Sequence, residues 1–354
     1  MLTNKVSYYS NKKIKIYKKS IHKIPNTFKI NVTAQKIFFI KSTNTLIKIW
    51  NKCKKFKIPF LILGEGSNTL FLENYLGIIG INKIKGIKIK EKNKNWHLHV
   101  NSGENWHYLV QYTIKKGIFG LENLVMIPGS VGSAPINNIG AYGLEIKDIC
   151  QYVDVLCLQS KKIKRIEKKN CYFGYRDSIF KYKYQSGYII IAIGIILSKY
   201  WKPITSYGLL KKINLINITP YQIFNKIKYI RKNTIPNYKL IGNVGSFFKN
   251  PILIKKNISN LLEKYKNIPY YPEKNGRIKL SAAWLIEQCG LKSYTIGGAS
   301  VYHKQPLILI NKKKATSQEI LRLAYKIFYS VKKKFNILLE LEVQLIGKNG
   351  KEKI

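Results

Sequence analysis

Ser246 stands between a glycine and two phenylalanines in the run Gly242-Asn-Val-Gly-Ser-Phe-Phe-Lys-Asn-Pro251. A hydroxyl held in such a place has the chemistry of a proton donor in a dry pocket, because proton transfer needs a positioned acid near the reacting atom. No G-x-S-x-G elbow surrounds it, which disfavours a hydrolytic nucleophile. Arg176, in Tyr175-Arg176-Asp177-Ser178, carries the planar fork that grips a carboxylate with two hydrogen bonds, although most lone arginines are simply solvated. Glu340 and Glu342 fall on one side of the alternating terminal run, with side chains about 7 Å apart by strand rise. In a chain this poor in acids, either both bridge surplus lysines or one faces a site.

Two glycine-bearing segments have the chemistry of phosphate loops. Gly64-Glu65-Gly66-Ser67-Asn68 follows the apolar run Pro59 to Leu63. It lacks a third glycine at Thr69, so it is not a dinucleotide fingerprint, and it has no Gly-Lys-Ser/Thr. By itself it reads better as a plain β-turn. The second segment, Ile127 to Gly143, combines Pro128, Gly129, Gly132, Ser133, Asn138, Gly140, Ala141 and Tyr142. Such a stretch exposes many backbone N–H groups, which suits a pyrophosphate. The alternative is a structural Ω-loop, but an irregular run this long in a compact domain is usually functional.

Elements must position these groups, and the chain of 354 residues is long enough for two or three domains. From about residue 24 to 200, short apolar runs alternate with glycine-marked turns. Ile189 to Leu197 is apolar at every position, as in a strand covered on both faces. Trp106 to Lys116 fits a helix with Trp106, Leu109, Val110 and Thr113 on one face. The polar stretch 203–240, with Pro203, Pro220 and Pro236, marks a domain boundary. Beyond it lie a helix around Ser281 to Cys289 and another from about Gln318, whose Thr316 and Glu319 form a capping box. A strand is expected over Ile337 to Gly347. The predicted division is a basic extension over 1–20, a cofactor-type domain over 21–202, a loop and linker over 203–240, and a C-terminal domain over 241–354, all of α+β class.

Lys and Arg number 63 against 17 Asp and Glu, a formal net charge of +46. Taken alone, that charge suggests a nucleic-acid partner. The lysines are spread over almost every segment, beside heavy use of Ile, Asn and Tyr, and arginine, the better base reader, is scarce. We read the excess as compositional drift toward A/T-rich codons, with no nucleic acid implied. The five cysteines have no C-x-x-C spacing, and the five histidines form no ligand set, so no metal site and no disulfide framework is expected. Residues 1–20 lack an apolar signal core, and Ile189 to Leu197 is too short to span a bilayer. The expectation is a cytoplasmic protein with reduced thiols.

Taken together these words resemble one family, the UDP-N-acetylenolpyruvoylglucosamine reductases. The matching stretches are LGEGSN, ENLVMIPGSVGSAPINNIGAYG, CYFGYRDSIFK, GNVGSFFKNP, KLSAAWLIEQCGLK and LELEVQLIG, in order, over about Asn26 to Gly350. TSYGLL, from Thr205 to Leu210, suggests the subgroup with a tyrosine-bearing substrate loop. The resemblance implies an FAD-binding domain of the vanillyl-alcohol-oxidase type, with Gly64 to Asn68 and Pro128 to Tyr142 lining the flavin site, and a C-terminal domain that closes over it. It further implies a monomer that uses NADPH to reduce FAD and then reduces an enolpyruvyl ether on a UDP-sugar, in peptidoglycan precursor synthesis. By resemblance, Arg176 and Glu342 stabilise an enolate-like intermediate and Ser246 protonates it. For Glu342 to help beside an anion it must be protonated, so its pKa is expected to be raised. Tyr175, Tyr207, Arg231, Asn250 and Gln305 match positions that hold substrate or NADPH phosphate. Thr234 stands where the subgroup has a lysine, with Lys232 the candidate replacement. The rival readings are another FAD-dependent sugar or lactone oxidoreductase of the same fold, a basic nucleic-acid-binding protein, and an inactive relic.

Overall fold

The computed structural model describes residues 22–206, 208–212 and 217–352. The basic segment expected over 1–20 and the candidate Tyr207 lie outside the described residues.

The first unit is a small sheet in the order His22–Lys23, Thr33–Ile40, Tyr75–Asn82, Phe60–Leu63. Thr33–Ile40 and Phe60–Leu63 both pair in parallel with Tyr75–Asn82. The crossover between the parallel strands contains the helix Thr43–Lys55, capped by Ser42, whose side chain accepts from the Thr45 amide. Lys52, Lys54 and Lys55 sit in its last turn, where the helix dipole favours cations.

The second unit is a five-stranded antiparallel sheet with Tyr188–Ser198 at its centre, flanked by Cys150–Cys157 and Asn95–Asn101. As the apolar run predicted, this strand is covered on both faces. Ile193 and Ile195 join the core that holds the helix Trp106–Lys115. Ile191, on the other face, meets Ile40, Leu46, Ile84, Leu156 and Leu158 where the two sheets adjoin.

The stretch 203–240 differs from its expected character as a loop and linker. It contains the helix Pro220–Thr234, which buries Ile223, Phe224, Ile227 and Ile230 against the second core. The start signal was present: Thr219 and Gln222 form a capping box, with Pro220 in the first turn. The surplus of Lys and Asn on its solvent side masked the apolar stripe.

The C-terminal unit is a four-stranded sheet in the order Gly242–Ser246, Ile308–Asn311, Ala299–Val301, Thr295–Ile296, covered by the helix Ser317–Phe335. Thr316 and Glu319 form the predicted capping box, and Ile320, Ala324, Ile327, Val331 and Phe335 are buried. Its core is continuous with that of the first unit. Phe28 from the N-terminal segment meets Phe247 edge-on with ring centroids 6.4 Å apart, and both rings are fully buried. Burying each contributes about 1.5–3 kcal/mol.

The terminal strand is shorter than expected, Gln344–Gly347 rather than Ile337 to Gly347. The segment changes partners along its length. Glu340 and Glu342 bond to the backbone of Lys249 and Phe247, whereas the Gln344 amide donates to Asn68 and the following residues pair in parallel with Thr69–Phe71. That change of partner prevents one continuous ladder, although the side chains still alternate, with Leu339, Val343 and Leu345 buried.

Candidate active site

A single cavity of 2320 Å³ runs between the three units. Ligand pockets commonly hold about 300–1,000 Å³, so this one has room for a long cofactor and a substrate together. Gly64 to Asn68, Pro128, Gly132, Ser133, Gly140 and Ala141 line one part, and Arg176, Ser246, Glu342, Arg231 and Gln305 line another. A third part is an apolar slot where Trp50 of the helix Thr43–Lys55 and Phe60 and Ile62 of the first sheet meet Leu158 and Ile189 of the second unit. Sequence reasoning missed this slot, whose residues become neighbours only when the two sheets adjoin.

The Gly64–Asn68 loop is fixed from both sides. Glu65 accepts from the Asn105 side chain at 2.6 Å and from the Gly129 amide at 3.1 Å, so it ties the two glycine-bearing segments together. Asn68 donates to the Glu342 carbonyl at 3.0 Å. Gly66 has φ +62, the left-handed region that glycine enters without strain. A Cβ on Gly64 would sit 2.3 Å from the Ser130 hydroxyl, so the close approach of the two loops requires glycine there. Among the described residues, no acceptor in the chain takes the amides of Gly66, Ser67 and Asn68. Three aimed N–H groups on the cavity wall fit a pyrophosphate.

Three cofactor candidates lie off this wall. Asn138 is fully buried, donating to Glu145 and Gly174 and accepting from the Lys147 amide, so it serves the loop's own architecture. Gly129 stands behind the wall with its amide held by Glu65. Tyr142 lies beside Arg231.

Arg176 lies in a two-residue turn closed by reciprocal backbone bonds between Gly174 and Asp177. Its φ is +52, a strained value for a residue with a side chain and one that recurs at functional sites. The guanidinium donates to the Gly140 carbonyl at 2.8 Å, and its Nε stands 3.1 Å from Glu342 Oε1. The glutamate is 17% exposed. Burial pushes the Glu342 carboxyl above the ordinary carboxylate range, opposed by Arg176, Lys181 and Lys249. Glu340, two residues earlier, is exposed and pairs with Lys249 at 2.9 Å. The two acids therefore differ in exposure and partner, Glu340 with a lysine and Glu342 with an arginine.

Ser246 ends the strand Gly242–Ser246 after an irregularity in pairing, with Gly245 at φ +75. Buried Phe247 and Phe248 anchor the chain immediately beyond it. Tyr175 and Asn250 sit behind the wall. They lie beside each other, and Asn250 accepts from the Ala282 amide at 2.9 Å. Burial raises the Tyr175 hydroxyl pKa. Arg231 donates to the Met126 carbonyl at 3.2 Å, while its buried Nε has no partner, and burial lowers its pKa. Thr234 bonds back to the Ile230 carbonyl at 2.8 Å, and Lys232 lines the cavity. Among the described residues no cluster suited to a metal ion occurs.

The comparisons with known proteins agree with this geometry. The model of an FAD binding domain matches residues 34–165, and that of the UDP-N-acetylenolpyruvoylglucosamine reductase C-terminal domain matches residues 236–346. The UDP-N-acetylenolpyruvoylglucosamine reductase of Buchnera aphidicola subsp. Schizaphis graminum is 57% identical over 329 residues, covering 93% of this chain and 96% of its own. That of Pasteurella multocida is 47% identical over 325 residues, covering 92% and 95%. The crystal structure of the Thermus caldophilus reductase superposes with TM-score 0.64 at 20% identity, over 92% of this chain and 98% of that one, a likeness of fold. On the strength of that identity across nearly the whole of both chains, this chain belongs to the UDP-N-acetylenolpyruvoylglucosamine reductase family.

Proposed function

We propose that the chain reduces the enolpyruvyl ether of UDP-N-acetylglucosamine enolpyruvate to UDP-N-acetylmuramate, with FAD as hydride carrier and NADPH as reductant. One observation carries the reading. Arg176, Ser246 and Glu342 come from three distant parts of the sequence, yet all line the cavity whose other wall is the Gly64–Asn68 loop.

Gly64 to Asn68, with Pro128, Gly132, Ser133, Gly140 and Ala141, would hold the FAD, which when bound supplies hydride transfer. Arg176 orients the substrate carboxylate and takes up the negative charge that develops beside it, the kind of preorganised stabilisation that contributes most when water is excluded. Burial strengthens the hold of Glu342 on its proton, and in its protonated form it would donate a hydrogen bond to the same charge. Ser246 gives a proton to the neighbouring carbon. Arg231, with its free buried Nε, and Lys232 and Gln305 would hold phosphate and sugar groups, with Tyr175 and Asn250 bracing the turn from behind. The same reading takes the protein as a cytoplasmic monomer. Five free cysteines support a reducing compartment.

Anaerobic oxidation of NADPH by the flavin-loaded protein, with and without the enolpyruvyl substrate, tests the proposal. Substrate-dependent consumption supports it. Bound flavin that ignores the substrate would favour a sugar or lactone oxidoreductase, and a protein that binds no flavin would sink the reading altogether.

A further inference from the structure

Lys181 ends the short turn Ile179–Lys181, five residues after Arg176, and lines the cavity. Its ammonium donates to the Arg176 carbonyl at 2.6 Å. The turn is fixed at its start, where the Ser178 hydroxyl donates to the Ile136 carbonyl at 2.8 Å, and by the buried ring of Phe180. Among the described residues no carboxylate lies within ion-pairing distance of Lys181. Asp177, the nearest acid in sequence, accepts from the Tyr182 hydroxyl at 3.0 Å. A partly buried ammonium without an ion-pair partner is unfavourable unless a hydrogen bond or a bound anion offsets its desolvation.

The hydrogen bond falls on the one carbonyl whose residue has φ +52. A left-handed arginine at the second position of a tight turn stands where glycine is preferred, so it persists only if its surroundings hold it. We propose that Lys181 is a positioning residue for the reduction above: its ammonium holds the strained Arg176 turn so that the guanidinium faces Glu342, and adds positive charge beside the anion that forms there. The inference rests on the proposed reaction. Burial and the neighbouring Lys249 push the Lys181 pKa down, opposed by Asp177 and Glu342. The charged groups that face it are Lys249 from the segment after Ser246, Asp177 just before its own turn, Glu342 from the closing segment and Lys351 from the short strand Gly350–Glu352.

Two variants of the flavin-loaded protein test this, each read in two half-reactions by stopped-flow absorbance. Lys181→Met keeps the apolar stem and removes donor and charge, while Lys181→Arg keeps both. In Lys181→Met, reduction of the flavin by NADPH stays within about twofold of wild type, and reoxidation by the enolpyruvyl substrate slows by about 10²-fold, as for a displaced catalytic group. Lys181→Arg recovers reoxidation to within about tenfold. The loss of a positive charge facing Glu342, which Arg176 and Lys249 also face, moves the alkaline limb of reoxidation to higher pH in the Met variant only. Equal slowing of both half-reactions, an unmoved pH limb, or an Arg variant as slow as Met would overturn the inference. If Lys181→Met fails to hold flavin, the Arg variant decides alone, by wild-type reduction with reoxidation within tenfold. A wild-type protein whose reduced flavin ignores the substrate would overturn the proposed reaction and this inference together.

Discussion

Two arginine–carboxylate pairs show how differently one chemical unit is used in this molecule. Arg165 and Asp154 lie on adjacent strands of the five-stranded sheet, and both carboxylate oxygens are taken, by Nε and Nη2 of the arginine, each at 2.8 Å. The guanidinium also stacks on the Tyr152 ring, 3.5 Å from its centroid. Hydrogen bonding to Asp154 raises the pKa of Arg165, which therefore keeps its charge at any ordinary pH. Arg176 and Glu342 meet through one contact at 3.1 Å, on a strained turn, beside open cavity. The first pair engages both carboxylate oxygens in a two-pronged bond and serves the sheet. The second leaves capacity for something that is not part of the chain.

Experiments can break this contrast at several points. The largest effect is expected from Ser246→Ala, which shares the cavity with the open pair: reoxidation by the substrate falls about 10²–10⁴-fold while reduction by NADPH is retained, as single-turnover traces would show. Equal loss in both halves would remove Ser246 as proton donor. Arg176→Met slows the same step about 10²–10³-fold with little change in thermal midpoint. Arg165→Met should do the reverse, leaving turnover within twofold and lowering stability by about 1–3 kcal/mol in urea melts, because buried Asp154 loses its partner. If Arg165→Met instead abolished turnover, the division into structural and open pairs would fail.

The pH dependence sharpens the comparison. The folded pKa of Glu342 lies above its ordinary value of 4.5, so the native state holds its proton more tightly than the unfolded chain. Stability from this group is therefore full below pH 4.5 and declines as pH rises through the folded pKa. Glu342→Gln removes that decline, so its stability relative to wild type increases from acid to neutral pH, and the alkaline limb of reoxidation disappears. Smallest of all, Glu340→Gln leaves kinetics unchanged and alters stability by no more than about 1 kcal/mol, as befits an exposed ion pair.

Much of the site was legible in sequence because its residues sit in long, unusual words. Residue types offered Ser246, Arg176 and the glycine-bearing segments as candidates, the family resemblance supplied their expected roles, and alternation placed Glu342 opposite Leu341 and Val343. What stayed hidden was settled by tertiary contact. Asn138 looked like a phosphate ligand, yet its polar atoms all meet neighbours brought in by Glu145, Lys147 and Gly174. The apolar slot needs residues more than 100 positions apart, such as Trp50 and Ile189, to pack in one cluster. The helix Pro220–Thr234 was obscured by composition, since a drifted, Lys-rich solvent face makes an amphipathic helix look like a linker.

The pairing of the closing strand with Thr69–Phe71 has a consequence for how the chain is made. Those partners are separated by some 275 positions, Gln344 opposite Thr69, so the edge beside the Gly64–Asn68 loop stays unpaired until the intervening chain has been made. A nascent chain released only as far as the helix Ser317–Phe335 has all its glycine loops, but Asn68 still lacks its Glu342 contact and one strand edge is open. Pairings of such long range form slowly, and open edges invite association with other chains. One short segment thus carries both Glu342, the carboxyl proposed above to meet the substrate, and the backbone contact that latches the loop it faces.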